Sequence, residues 1–172
     1  VLQDLKAYGF NLLSWANNHT LDYLYDGMAA TEKYLNEFGF IHAGVGENLA
    51  VASEVRYLET PMGRVALIAA TSTFHEFQMA GEQRSDMIGR PGVNPLRYQT
   101  THIIAKEKMQ WLKNIAETVA INAKQNMSIK NGYMLQNEDE IFMFGTYRFQ
   151  TGEREGVATA PNPKDMNRIL AR

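Results

Sequence analysis

The sequence contains no cysteine. That excludes disulfides, cysteine-ligated zinc and a thiol nucleophile, and it leaves the compartment open. No apolar run approaches the roughly 18–20 residues of a membrane-spanning helix, and there is no signal-peptide pattern. An anchor or leader is therefore expected only outside these residues. A dominant charge is missing too: the formal net charge is -2. With no basic run and no stacked aromatic pattern against that balance, a nucleic-acid partner is not expected. Internal repeats and low-complexity tracts are also lacking.

What is present is an ordinary globular balance, 45% hydrophobic and 21% charged residues in a chain of 172. That is enough for one domain with a real core, and a single domain over 1–172 is expected. Val1 to Gly9 reads as the last turns of a helix with Gly9 as its left-handed stop. Pro163 to Arg172 reads as a helix that opens near the other end. A chain that begins and ends inside helices has the pattern of an excerpt from a larger domain, or of frayed termini.

Between these ends the order of elements says α/β. Phe10 to Ala16 is too apolar for a surface and too short for a helix, so a buried strand of a parallel sheet is expected. Tyr25 to Phe38 suits a helix, with Met28, Ala29, Leu35 and Phe38 toward the sheet. Phe40 to Gly46 reads as a short strand and Glu47 to Ser53 as a short helix. Val55–Thr60 and Arg64–Ser72 read as a hairpin around Pro61-Met62-Gly63, its second strand buried on both faces. Phe74 to Leu96 is a long irregular loop, of the sort that is functional or disordered.

Tyr98 to Ile104 alternates as a strand. Ala105 to about Asn126 forms the strongest helical pattern, with Met109, Leu112, Ile115, Ala116, Val119 and Ala120 at helical spacing. Asn137 to Glu140 is expected as a solvated turn, Ile141–Phe149 as a strand and Gly152–Pro163 as an exposed connector. Trp15 and Trp111 are expected in the core.

The chemistry centres on Asn17-Asn18-His19-Thr20-Leu21-Asp22-Tyr23, a polar turn between the first strand and its helix. A strand that delivers Asn-Asn-His at its C-terminal end places them at the rim where open α/β sheets bind ligands. An amide oxygen is a hard donor for a divalent cation, and the adjacent imidazole can shuttle a proton. Equally, an Asn there can cap the next turn while the His bonds the backbone; residue types alone leave both readings open. In the long loop, Arg90, Asn94 and Arg97 could grip carboxylates or phosphates, the arginines bidentately. Alternatively Pro91 and Pro95 stiffen that loop while the arginines face solvent or pair with Glu82 or Asp86. His75-Glu76, also near a rim, offers either acid–base chemistry or a loop hydrogen bond.

The string Ala16 to Tyr23, preceded by Gly9-Phe10-Asn11-Leu12-Leu13-Ser14, resembles the signature of the CapA family. His42 to Asn48 and the Arg90–Arg97 loop agree with it. The resemblance runs through most of the chain and weakens between Ile129 and Gly156. Members are bacterial capsule or poly-γ-glutamate synthesis proteins with a calcineurin-like metallophosphatase fold, so part of an α/β/β/α sandwich is implied.

Carried over, the resemblance makes Asn18 the metal-ligand asparagine and His19 the catalytic histidine, with Asp22 orienting His19, reaching the metal or simply starting the helix. Thr20 stands where metallophosphatases have an acidic residue. Leu24 stands where the family often has glycine after Asp-Tyr, a departure that bears on the turn and removes no ligating atom.

The implied cofactor is a divalent metal ion, with manganese, zinc or iron as candidates. The implied partners are an anionic polymer (poly-γ-glutamate or capsule polysaccharide) and a membrane synthase complex, at the cell surface. The implied activity is a metal-dependent hydrolase or transferase; the alternative is a non-catalytic domain that binds polymer or synthase. A two-metal site needs several carboxylates and histidines. His19, His42, His75 and His102 are scattered without ligand spacing, so one piece of a site is expected here.

Overall fold

The computed structural model describes residues 1–135 and 140–172. In chain order the elements are α1 (Leu2–Ala7), β1 (Leu12–Ser14), α2 (Leu24–Glu37), β2 (Ile41–Ala43), β3 (Val45–Gly46), α3 (Leu49–Ala52), β4 (Arg56–Thr60), β5 (Gly63–Leu67), a 3-10 turn (Glu76–Gln78), β6 (Gly92–Val93), β7 (Tyr98–Ile104), α4 (Lys106–Thr118), α5 (Ala123–Lys130), β8 (Phe142–Phe144), β9 (Tyr147–Thr151), β10 (Gly156–Pro161) and α6 (Pro163–Leu170). The fold is mixed α/β, as expected, and compatible with part of a metallophosphatase-like fold. Of the turn expected at Asn137 to Glu140, residues 137–139 lie outside the described residues.

Two compact units emerge, one of residues 1–97 with 161–172, the other of residues 98–160. In the first, β1 and β2 pair in parallel with Leu13 opposite His42, the pairing the apolar strand predicted. The strand itself is shorter than expected, and Phe10 is half-exposed. Gly9 and Gly39 take the left-handed conformation that stops α1 and α2. Trp15, Leu21, Met28, Leu35, Phe40, Val45 and Val93 form the core. On α2 only Met28 and Leu35, one heptad apart, are buried, whereas Ala29 and Phe38 face outward. β3 pairs antiparallel with β6.

The β4–β5 hairpin forms as expected, with Thr60 opposite Gly63. Burial of its second strand on both faces is a correction: Gly63 to Ala66 are exposed and Leu67 is half-buried. Among the described residues the hairpin stands as a two-stranded sheet, with β5 paired to β4 alone.

In the second unit the strands lie in the order β10-β7-β9-β8, with β7 parallel to β9 and β8 antiparallel to it. Four expectations are corrected there. The long helix is two, broken between α4 and α5, where Ala120 has φ +50°. Asn122 accounts for the break: its amide accepts from Gly145 N–H at 3.0 Å and donates to the Met143 carbonyl, bonds a continuous helix would not present. The single strand at 141–149 is a hairpin that turns at Gly145. The connector at 152–163 contains an exposed edge strand, β10. Trp111, expected in a core, is 65% exposed.

Candidate functional site

The corner after β1 is built around one buried side chain. Leu21 is buried in the core, and the polar residues on either side are turned outward. The Trp15 amide donates to Ala43 O at 3.0 Å, which carries the sheet one residue further. The Trp15 carbonyl accepts from the Thr20 hydroxyl at 2.9 Å and from Asn17 Nδ2 at 3.3 Å. Asn17 Oδ1 accepts from His19 N–H at 2.8 Å, an Asx turn of the kind Asn favours. Asn17 therefore holds the turn and leaves Asn18 and His19 free. Gly44 (φ +99°) lets the neighbouring strand pass closely; a Cβ there would meet the Ala16 and Ala69 methyls at 2.6 and 2.9 Å.

His19 Nδ1 lies 2.8 Å from Asp22 Oδ2, and Asn18 Nδ2 lies 3.1 Å from His19 Nε2. A carboxylate only accepts, so Nδ1 carries the proton and the Nε2 lone pair accepts from the Asn18 amide. Asn18 Oδ1 is left over. The three residues that sequence reading singled out at this turn are thus brought together. His19 and Asp22 are 74% and 51% exposed, so their pairing orients the ring and contributes little to stability.

The donor set does not by itself fit a metal centre. One amide oxygen is a single hard ligand, and no three His, Cys, Asp or Glu side chains come together among the described residues. The other histidines are engaged separately. His42 Nε2 meets Asn36 Oδ1 at 3.1 Å, His75 stacks on Phe77, and His102 packs against Tyr147 and Phe149. In the His75-Glu76 segment the main-chain His75 N–H donates to Gln78 Oε1 at 2.7 Å.

Arg90, Asn94 and Arg97 take internal partners. Arg90 donates from Nε to Met79 O at 3.0 Å and from Nη2 to Glu76 O at 3.2 Å. Asn94 is fully buried, donates to Ala69 O at 2.8 Å and accepts from Arg168 Nη2 at 3.0 Å. Both ends of the buried Asn94 amide are thus occupied within the chain. Arg97 pairs neither with Glu82 nor with Asp86; Nε and Nη2 both donate to Asp165, at 2.8 Å.

Asp165, which sequence reading did not single out, is fully buried at the start of α6 and also accepts from Arg168 Nη1 and Arg97 N–H. Burial pushes its carboxyl up, but the hydrogen bonds from Arg97 and Arg168 outweigh that and hold it well below the usual carboxylate range. The Asn162-Pro163 cap, whose Oδ1 accepts from the amides of Lys164 and Asp165, was the available signal that Asp165 sits in a first helical turn. A separate cavity of about 540 Å³ is lined by Glu32, Asn36, Phe40, His42, Arg56 and Tyr57, among others.

Residues 1–129 match the family described as bacterial capsule synthesis protein PGA_cap. The chain is also similar to two proteins of Sinorhizobium fredii (strain NBRC 101917 / NGR234), the uncharacterized proteins y4sH and y4uA. Each is 35% identical over 167 residues, covering 97% of this chain and 34% of the relative. The chain thus spans about a third of the length of the curated relatives it matches.

Proposed function

Since the chain belongs to the bacterial capsule synthesis protein family, PGA_cap, we propose that its Asn18–His19–Asp22 corner moves a proton in making or cutting an anionic capsule polymer. The reaction class is hydrolysis or group transfer, the polymer poly-γ-glutamate or a capsule polysaccharide, and the setting the cell surface, beside a membrane synthase. Among the described residues no helix is long and apolar enough to cross a membrane.

The observation that carries this reading is the His19 Nδ1–Asp22 contact of 2.8 Å on an accessible corner. Asp22 fixes the tautomer, so Nε2 carries the working lone pair, which exchanges the Asn18 amide for the substrate's proton. As a base Nε2 takes a proton from an attacking water or hydroxyl; once protonated, it returns the proton to the leaving group while Asp22 balances the imidazolium. Metal dependence belongs to the proposal through one ligand, Asn18 Oδ1, and no step here is routed through it.

The test is turnover of poly-γ-glutamate by the purified protein with manganese or zinc, beside His19→Ala and Asp22→Asn. Each substitution is expected to lower turnover by about 10²–10⁴-fold, the range for a positioned acid–base group. Turnover that survives His19→Ala within about twofold overturns the reading. Polymer binding without turnover, indifferent to His19, gives the case to the non-catalytic alternative.

A further inference from the structure

The peptide unit between Asn18 and His19 is held at both ends. Its N–H donates to Asn17 Oδ1 at 2.8 Å, a contact within the turn. Its carbonyl accepts from Gln78 Nε2 at 3.0 Å, a contact sixty residues away in sequence. That one plane joins the two side chains on which the proposed chemistry depends, and turning it would swing Asn18 and His19 apart. We infer that Gln78 is a positioning residue for the Asn18–His19 pair, holding their shared peptide from the facing loop; the inference rests on the functional reading above.

Gln78 is built for such a task. It is buried, and both ends of its amide are used: Oε1 accepts from His75 N–H at 2.7 Å while Nε2 reaches Asn18. A buried amide with donor and acceptor both matched is held in one orientation. The turn that carries it is clamped in turn. Arg90 Nε and Nη2 grip the carbonyls of Met79 and Glu76, and Ala80 N–H donates to Val93 O at 3.0 Å. β6 presses on this segment so closely that a Cβ on Gly92 would run into the Gln78 carbonyl oxygen and the Ala80 amide. A loop of glutamine, arginine and glycine gives no sequence pattern for this, since the tether depends on a contact sixty residues distant.

The experiment reads the His19 ring directly, in the full chain labelled with ¹⁵N-histidine, at a pH well above the ordinary imidazole value of about 6.5. Long-range proton–nitrogen spectra report which ring nitrogen carries the proton, and His19→Gln assigns the signal. In the unaltered chain His19 is expected as the Nδ1–H tautomer. Gln78→Met keeps the bulk and removes both amide hydrogen bonds, of which the one to Asn18 O reaches the pair; the share of the other tautomer is then expected to rise roughly fivefold, the effect of that one ordinary hydrogen bond. The signals of His42 and His102, which do not touch Gln78, report whether the variant is folded, and a purely structural role would leave the His19 tautomer where it was.

His19 signals unchanged in folded Gln78→Met, with Asp22→Asn moving them, overturn the inference. Should Gln78→Met unfold, the unaltered chain decides: Gln78 side-chain amide protons are expected to exchange at least about tenfold more slowly than those of exposed Gln3. Equal rates overturn it. Neither readout depends on turnover, so the positioning role and the catalytic reading fail separately.

Discussion

Arg97 grips Asp165 three times, through its main-chain amide at 2.9 Å and through Nε and Nη2 at 2.8 Å each. The carboxylate is fully buried, and Arg168 completes its shell. The pair fastens α6 to the end of the long loop, so its removal should be felt as loss of fold. Deleting one partner strands the others' charge, and Asp165→Asn is expected to destabilise the chain by about 3–5 kcal/mol. The acid dependence follows in sign: a carboxyl held below its unfolded value of about 3.9 contributes fully above that pH and loses the contribution as the pH falls through its folded value. Urea unfolding from pH 5 down to 2 should show a steep fall in stability that Asp165→Asn flattens. Parallel profiles would contradict this.

Leu24 opens α2 with φ +56°, a left-handed conformation that costs an L-residue roughly 1–2 kcal/mol. It stands where the CapA pattern often has glycine. A positive φ is the conformation that glycine adopts without steric cost. Because the Leu24 side chain is 61% exposed, little packing is lost on removing it. Leu24→Gly should therefore raise stability by about 0.5–1 kcal/mol, after the greater unfolded-state freedom of glycine is allowed for. A melting temperature that falls would mean the leucine side chain contributes more than its backbone strain costs.

The corner's side chains were legible in the sequence because they are local, whereas the Gln78 tether on their shared peptide, sixty residues away, was not. Asn17, Asn18, His19 and Asp22 lie within six residues, and an apolar strand before and a helix after fix their place. The loop was not legible for the opposite reason. The partners of Arg90 and Arg97 were not legible, because the Glu76 and Met79 carbonyls and Asp165 come from chain folded back or from far along the sequence. Burial was likewise over-read wherever apolar residues alone were counted. Trp111, Ile115 and Val119 share a helical stripe that is exposed, and Ala120 breaks the helix because Asn122 is drawn to the Gly145 turn.

Arg90 provides a prediction that separates loop structure from polymer contact. Its fork meets two carbonyls at once, which a lysine ammonium, a single point on a flexible stem, does not reproduce. Arg90→Lys keeps the charge and is expected to cost about 1 kcal/mol, one neutral hydrogen bond or slightly more at an exposed side chain. Affinity for poly-γ-glutamate, measured by co-sedimentation at low salt, should stay within about twofold. A large drop in affinity at unchanged stability would restore Arg90 as a polymer contact.

His42 predicts a second pH dependence, at the mild end of the scale. Its ring is buried edge-on against Trp15, Nε2 meets Asn36, and buried Nδ1 has no hydrogen-bond partner among the described residues. Burial lowers its pKa, with Arg56 adding to the effect and Glu32 opposing it. The unfolded chain therefore binds a proton at about pH 6.5 that the folded chain still refuses. More protons on the unfolded state means that stability rises with pH, so the His42 contribution is complete above about pH 6.5 and declines as the pH falls toward the folded value. His42→Phe removes the titrating group while keeping an aromatic ring against Trp15. The difference in unfolding free energy, wild type minus variant, should shrink on going from pH 7.5 to pH 5.5. A difference constant across that interval would show that the folded chain takes up the proton as readily as the unfolded one, and that Nδ1 finds a partner on protonation.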